Sequence, residues 1–308
     1  MRENKMNRPL LSIVIANYNY GRYLDEAIQS VLNQSCQDFE LIVCDAASND
    51  SSVEIIKKYA NGLPPKTSLY DWEPGNSQLT TKDYRLSTKI TWWCSEPDGG
   101  QSAAFNKGFS HARGRFLTWL NADDVLLPGI LKKFEAAVSK NPTCEWFVGG
   151  VLWLDPEMRV IRCGRGRPFS EIRYRSGNVS VWGPCSFFTK ALLDSVGGVD
   201  ERFFYTMDTD LWLKFACKAG ARYLPFTDYA WGLRMHPDAK MSEHNFNGGM
   251  SEKKKKQLAQ EWAWKLEYFT PQKSGRINRL LSISWPGALG GFFDTKRFKG
   301  RHYSEVVR

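Results

Sequence analysis

From Leu11 onward, short runs of β-branched and aliphatic residues alternate with amphipathic segments, and this alternation constrains the fold of the chain more than any other feature. A strand-helix-strand rhythm predicts an α/β fold with a Rossmann-like, mostly parallel sheet flanked by helices. Leu11 to Ala16 reads as the first strand. Leu24, Ala27, Ile28, Val31 and Leu32 then fall at i, i+3, i+4, i+7 and i+8, one face of a helix. Leu41 to Cys44 is the second strand, and Ser51 with Glu54 forms a capping box ahead of the next helix. Thr91 to Cys94 and Phe116 to Leu120 read as further strands separated by a helix over Ser102 to Ala112, and Pro128 opens the helix that carries Ile130, Leu131, Phe134 and Val138. Gly62 to Ser87, rich in Pro, Gly, Thr and Ser, reads as a long insertion.

After residue 126 the alternation loosens. Strand-like runs near Glu145 to Leu154 and Arg159 to Arg162 lead into a basic loop, and helices are expected over Lys190 to Val196 and Asp208 to Ala219, each stopped by glycine. Beyond His244 the composition shifts to Lys, Gln, Trp and Arg. The expected organisation is therefore one domain over 1–244, with halves of about 10–125 and 126–244, and a basic, aromatic C-terminal extension over 245–308.

Composition excludes several classes of protein. A content of 42% hydrophobic and 24% charged residues in 308 is that of a globular chain, not a disordered one. Seven scattered cysteines with no C-x-x-C pair point to reduced thiols in a cytoplasmic setting and away from a zinc site. Met1 to Arg8 lacks the apolar core of a secretory leader, and no apolar run is long enough to span a bilayer, so a cytoplasmic protein is expected. The net charge of +9 suits an anionic partner.

In an open parallel sheet, ligands bind beyond the carboxyl ends of the strands, so the acids that immediately follow predicted strands are the first candidates for chemistry. Asp45, Asp98 and the Asp123-Asp124 pair all occupy such positions, although any one of them would serve equally well as a helix cap. The first strand runs into Asn17-Tyr18-Asn19-Tyr20-Gly21, with neither the G-x-G-x-x-G of dinucleotide enzymes nor a Walker lysine. Phosphates must be neutralised otherwise, and acids at a strand end suit Mn²⁺ or Mg²⁺ bridging a diphosphate.

At this point the chain resembles a family 2 glycosyltransferase of the inverting, GT-A kind, over roughly residues 10–242. Ser12-Ile13-Val14-Ile15-Ala16-Asn17-Tyr18-Asn19 is similar to the opening strand and loop, which implies that Ala16, Asn17 and Tyr18 hold the nucleobase. Asp45-Ala46-Ala47-Ser48-Asn49-Asp50 resembles the D-x-S-x-D segment, whose first acid contacts the nucleoside. Ser95-Glu96-Pro97-Asp98-Gly99-Gly100-Gln101-Ser102, with Asn106-Lys107-Gly108, is similar to a segment closing over the base, which adds Asp98 and Asn106. Trp119-Leu120-Asn121-Ala122-Asp123-Asp124 stands in the place of the D-x-D motif. There Asn121 replaces the first acid, still able to bond a ribose hydroxyl, Ala122 follows, and Asp123 is the implied metal ligand.

Tyr205-Thr206-Met207-Asp208-Thr209-Asp210 resembles the segment of the catalytic base, here Asp208, with Asp210 the acid of a structural helix turn. His236 in Arg234-Met235-His236-Pro237 matches a histidine that approaches the metal or diphosphate, and Lys240 meets either a phosphate or solvent. Trp182 to Phe188 resembles an acceptor-side wall, though core packing accounts for its aromatics equally well.

The resemblance implies transfer of a hexosyl or N-acetylhexosaminyl group from a nucleotide-sugar donor, a uridine diphosphate sugar in most relatives, to a glycan or lipid-linked acceptor in bacterial polysaccharide or glycan biosynthesis. The basic and aromatic residues of the extension, among them Lys253 to Lys256, Trp262, Trp264, Tyr268, Arg276 and Arg279, suit either an anionic membrane surface on the inner face of the cell or a solvated helix. A nucleotidyltransferase is the first rival, but the expected glycine-rich, basic phosphate loop is missing. A nucleic-acid-binding protein is the second, and no recognition motif supports it, so no nucleic-acid partner is expected. A non-catalytic nucleotide-sugar binder is the third, against which Asp123, Asp208 and His236 all stand.

Overall fold

The computed structural model describes residues 8–60, 90–175, 181–227, 229–240, 251–265, 268 and 293–306. The expected insertion over 62–87, the boundary at 244 and the tail residues Arg276 and Arg279 lie outside them. Through the first half the elements are β1 (Leu11–Asn17), α1 (Gly21–Leu32), β2 (Phe39–Asp45), α2 (Ser52–Ala60), β3 (Ile90–Ser95), α3 (Gln101–His111), β4 (Phe116–Asn121), β5 (Val125–Leu126) and α4 (Ile130–Lys140). They fall where the periodicity places them, except that β5 has no counterpart in it and that α4 starts at Ile130 with Gly129 as its cap, which leaves Pro128 just ahead of the helix instead of inside it. At α2 the side chain that takes the Ser52 N–H is Asp50 (2.9 Å), in place of the expected Ser51–Glu54 box. The second half adds β6 (Trp146–Val148), β7 (Val151–Leu154), β8 (Val160–Gly164), α5 (Glu171–Arg175), β9 (Ser186–Thr189), α6 (Lys190–Ser195), α7 (Met207–Leu213) with a π-helical turn over Lys214–Lys218, β10 (Leu224–Pro225), β11 (Trp231–Arg234) and α8 (Glu252–Lys265).

Among the described residues, seven strands form one sheet in the order β10-β6-β9-β4-β1-β2-β3. The pairs β1/β2, β1/β4 and β2/β3 are parallel, and β9 runs antiparallel between β4 and β6. Strands buried on both faces must be apolar at nearly every position, and β1 is buried along nearly all its length. Its side chains alternate between two cores. Ile13 and Ile15 pack with Leu24, Ile28 and Val31 of α1 and Phe134 of α4, while Val14 packs with Phe105 and Phe109 of α3. Helix α3 lies close on β1 because Gly108 has no side chain: a Cβ there would sit 2.3 Å from Val14 Cγ1. That close approach holds the start of α3 over the ends of the strands.

The run Glu145 to Leu154, expected as one strand, is divided between two sheets. Trp146–Val148 stays in the large sheet, whereas Val151–Leu154 enters a second sheet of order β5-β11-β7-β8. The turn comes at Gly149, whose N–H bonds Cys185 O (2.8 Å) and where a Cβ would meet that of Ala230 at 2.5 Å, so no side chain fits at the crossing.

The described part of the C-terminal region packs back on this body. Lys254 and Lys265 of α8 are buried, Trp264 stacks edge-on against Phe203, and the Tyr268 hydroxyl donates to Asp210 (3.0 Å). Further on, Asp294 accepts from Arg165 (2.6 Å), Thr295 accepts the Cys163 N–H (2.9 Å), and Phe298, Tyr303 and Val306 cover the core behind β8. The expectation of a lipid-facing or solvated helix therefore fails for Lys254, Trp264 and Tyr268, whose apolar and polar contacts are made to the protein. Among the described residues no helix is long and apolar enough to cross a membrane.

Candidate active site

The chain leaves β1 toward β2 and β3 on one side and returns to place β4 on the other, so the crevice between the ends of β1 and β4 is a topological switch point, where open α/β sheets bind ligands. Parallel register brings the terminal residues level: Asn17 stands opposite Asp45, Ala16 opposite Asn121, and Asp45 opposite Ser95. A cleft of about 720 Å³ opens there. Ala16, Asn17, Tyr18, Asp98, Asn121, Ala122, Asp123 and Asp208 all line it.

At the β4 end, Asp123 Oδ2 and His236 Nε2 lie 3.1 Å apart. His236 is 1% exposed and held against the Tyr23 ring (centroids 4.7 Å), and its loop is fastened to α1 through the Tyr20 hydroxyl on Asp238 O (3.0 Å) and an Arg22–Asp238 ion pair. The neighbouring Asp124 has a different part. It is buried, accepts from Arg234 N (2.9 Å) and Asn121 Nδ2 (2.7 Å), and burial together with the Asp123 charge holds its carboxyl pKa well above the usual range. Arg234 also donates to Asp123 O (3.0 Å) and pairs with Glu26, bracing the turn.

Adjacent ligands of an octahedral divalent ion at ~2.1 Å lie ~3.0 Å apart, so the Asp123–His236 spacing fits two positions of such an ion. Among the described residues no cluster of three His, Cys, Asp or Glu exists, so an ion held by this pair would need its remaining ligands from outside these side chains. His236 Nδ1 is buried without a hydrogen-bond partner among the described residues, which leaves Nε2 as the ring atom facing Asp123.

Asp208 opens α7. Its Oδ1 accepts the Thr209 N–H (2.6 Å), and a Cβ on Gly183 would lie 3.8 Å from its Oδ2, so the Gly183-Pro184 turn forms the adjoining wall. Burial raises its pKa, opposed by the Thr209 N–H and by Lys265. Lys240 faces the same cleft, bonded to Gln101 Oε1 (3.1 Å) and 3.8 Å from the centre of the Phe204 ring, with its pKa lowered by burial to about 8. Asp98 accepts the N–H of Gly100 (2.7 Å), a residue at φ 106 that suits only glycine, and its pKa is raised by burial.

Four expected contacts are arranged differently. Asp45 is 1% exposed and already accepts from Asn17, Ser48 and Ser95, so it locks the ends of β1, β2 and β3 together behind the cleft. Asn106 points away, donating to Val199 O (2.8 Å) and accepting from Val199 N (3.0 Å). Of the Trp182 to Phe188 wall, only Gly183 and Pro184 reach the cleft: Phe187 stacks on Phe134 and Phe188 packs on Trp119, because alternate residues of β9 enter the cores on its two faces. Asn121, expected on a ribose, bonds Asp124 and Gln101.

Phe204 and Tyr205, which line the cleft beside Asp208, and Gln101, which bridges Asn121 to Lys240, were not singled out from sequence. The aromatic pair three and four residues before the acid was the available signal.

A switch-point cleft lined by Asp123 at a strand end, with His236 behind it, and by a second acid in the first turn of a helix is that of a ligand-binding α/β protein. The model of the family described as Glycosyl transferase family 2 matches residues 12–75 and 93–189, just over half of the sequence, and the chain belongs to that family. An uncharacterized glycosyltransferase of Methanocaldococcus jannaschii is 28% identical over 214 residues, 68% of this chain and 66% of that protein. The hyaluronan synthase of Pasteurella multocida is 25% identical over 219 residues, 70% of this chain and 20% of that one. The chain thus spans less than two thirds of the length of these relatives. Among solved structures, the mannosyltransferase PcManGT of Pyrobaculum calidifontis, in complex with GDP-Man and Mn²⁺, superimposes with a TM-score of 0.54 at 15% identity, covering 97% of this chain and 79% of that one. S. aureus TarS gives 0.52 at 16% identity, over 97% and 55%. The fold is that of GT-A glycosyltransferases.

Proposed function

We propose that this chain transfers a sugar from a nucleoside diphosphate sugar, a uridine diphosphate sugar first among the candidates, to a hydroxyl of a glycan or lipid-linked acceptor, with inversion at the anomeric carbon. The observation that carries the reading is that Asp123, backed by the buried His236, and Asp208 line one cleft at the β1/β4 switch point. Asp208 takes the proton of the acceptor hydroxyl as its oxygen bonds the anomeric carbon, and the bond from that carbon to the diphosphate oxygen breaks in the same displacement. A pKa raised by burial makes Asp208 the stronger base once ionised. Asp123 and His236 are the residues that would hold Mn²⁺ or Mg²⁺, and the ion would supply charge neutralisation to the departing diphosphate. Lys240 adds a fixed positive charge in the cleft.

Ala16, Asn17, Tyr18 and Asp98 form the nucleoside end of the cleft in this reading, with Asp45 supporting them from behind. A hyaluronan synthase and a chondroitin synthase of Pasteurella multocida among the relatives support a place in polysaccharide synthesis. The GDP-Man and Mn²⁺ bound to PcManGT support a divalent ion and put guanosine diphosphate sugars among the donors to be tried.

The test is donor turnover with Mn²⁺ across UDP-, GDP- and dTDP-sugars. One donor should be consumed, and an α-linked donor should give a β-linked product by NMR coupling constants. No binding of any nucleotide sugar in the presence of metal would remove the assignment, and a retained α linkage would remove the single displacement.

A further inference from the structure

Helix α8 makes a concentrated set of contacts with the segment that leads into α7. Glu261 is fully buried, and its carboxylate accepts the backbone N–H groups of Phe204 (2.9 Å), Tyr205 (3.1 Å) and Thr206 (2.9 Å) as well as the Thr206 hydroxyl (2.8 Å). One turn later Lys265, also fully buried, donates to the same hydroxyl (2.8 Å) and lies 4.1 Å from the centre of the Trp262 ring. A hydroxyl has a single proton to give, so the polarity of this chain is forced: Lys265 donates to Thr206, and Thr206 donates to Glu261. Asp208 follows two residues after Thr206.

Two opposite charges buried this deeply and bridged by one hydroxyl are an inefficient way to gain stability, since desolvating both offsets much of their attraction and apolar side chains of the same volume would do as well. What the pair does that apolar residues could not is fix three consecutive peptide N–H groups in direction. Those peptides carry Phe204 and Tyr205 into the cleft and set the angle at which Asp208 enters it. We propose that Glu261 and Lys265 are positioning residues for Asp208, so that α8 belongs to the catalytic apparatus. The inference rests on the assignment of Asp208 as the base.

The charged and titratable groups that act on Asp208 come from three directions: Lys265 on α8, Lys240 on the loop after β11, and the Cys185 thiol beside Gly183. Glu261 and Asp210 act in turn on Lys265, and Glu261 and Lys254 on Lys240. Of the two lysines, Lys265 is the one tied through Thr206 to the backbone of the base.

The experiment uses the full chain and the variants Glu261→Gln, Lys265→Met and Lys265→Arg, with Asp208→Asn as reference. Two quantities are read: the Kd of UDP or GDP with Mn²⁺, whichever binds the unaltered chain, and kcat for release of that diphosphate from its sugar nucleotide with water as acceptor. Glu261→Gln and Lys265→Met should keep Kd within about twofold and lose about ten- to a hundredfold in kcat, as displaced catalytic groups do. Lys265→Met should also move the acid limb of the pH–kcat profile to higher pH, and Lys265→Arg should restore both kcat and the limb. Unchanged kcat with an unmoved limb overturns the proposal, as does a parallel loss of Kd and kcat, which would mean that α8 merely holds the cleft together. Should Glu261→Gln fail to fold, Lys265→Met and Thr206→Val decide by the same two readings. Full turnover by Asp208→Asn would instead remove the base assignment itself.

Discussion

Replacing Asp208 by Asn should abolish turnover while leaving the protein at least as stable as before, and the two effects come from the same burial. The Asp208 oxygen that accepts from the Thr209 N–H (2.6 Å) and hydroxyl (3.3 Å) has a counterpart in the amide oxygen of Asn, so the side chain stays anchored. What the substitution removes is the proton acceptor, worth about 10²–10⁴ in rate, or roughly 3–5 kcal/mol of barrier. Stability moves the other way. Burial raises the Asp208 pKa above its ordinary 3.8, so the folded chain binds that proton more tightly than the unfolded chain does. Ionising the group therefore costs folding free energy. That cost is absent below the unfolded pKa, grows as pH rises toward the folded one, and is complete above it. A neutral Asn escapes it. Donor turnover and urea unfolding at neutral pH, measured on both proteins, check the pair of outcomes, and turnover by the parent chain should fall as pH drops through the raised pKa. Activity in the Asn variant within tenfold of the parent would refute the base assignment. A large loss of stability would refute the argument from burial.

Asp123→Ala should remove Mn²⁺-dependent nucleotide binding, and His236→Ala should weaken it about 10- to 100-fold while leaving metal-independent binding unchanged, as titration calorimetry with and without EDTA can show. Because burial lowers the Lys240 pKa to about 8, its charge is lost as pH rises through that value, so the KM for donor should climb above pH 8 in the parent chain and be high and flat with pH in Lys240→Met. Gly108→Ala gains about 1 kcal/mol of helix propensity but sets a methyl group 2.3 Å from Val14 Cγ1. Overpacking of that kind costs about 1–3 kcal/mol, so the urea midpoint should fall with little change in slope.

The tail beyond residue 250 illustrates how composition misleads at the level of single residues. Lys253, Lys255 and Lys256 are exposed, as a run of lysines suggests, whereas Lys254 turns inward and donates to Lys240 O (3.0 Å). Glu261 and Lys265 stand four apart on a helix, the spacing of an ordinary solvated ion pair. Nothing in their sequence neighbourhood distinguishes that arrangement from the buried clamp they form.

Local pattern was sufficient for everything that depends on neighbours in the chain. The apolar runs of β1, β2 and β4 and the helical spacing of α1 and α4 prescribe a parallel sheet with two covered faces, because each element must bury its own apolar stripe. Asn17, Asp123 and Asp208 could be placed at element ends on the same grounds, and the family resemblance supplied their roles. Tertiary structure alone decided which of these side chains have bonding capacity left for a ligand. Asp45 spends its capacity on Asn17 and Ser95 of the neighbouring strands, Asn121 on Asp124 and on Gln101 of α3, Asn106 on Val199, and Asp123 alone of its pair faces His236, from a loop more than a hundred residues away. A hydrogen bond is set by a distance in space, and sequence spacing carries no record of contacts made across the sheet. For the same reason only the folded chain brings Glu261 under the backbone of residues 204–206, where the position of the proposed base is determined.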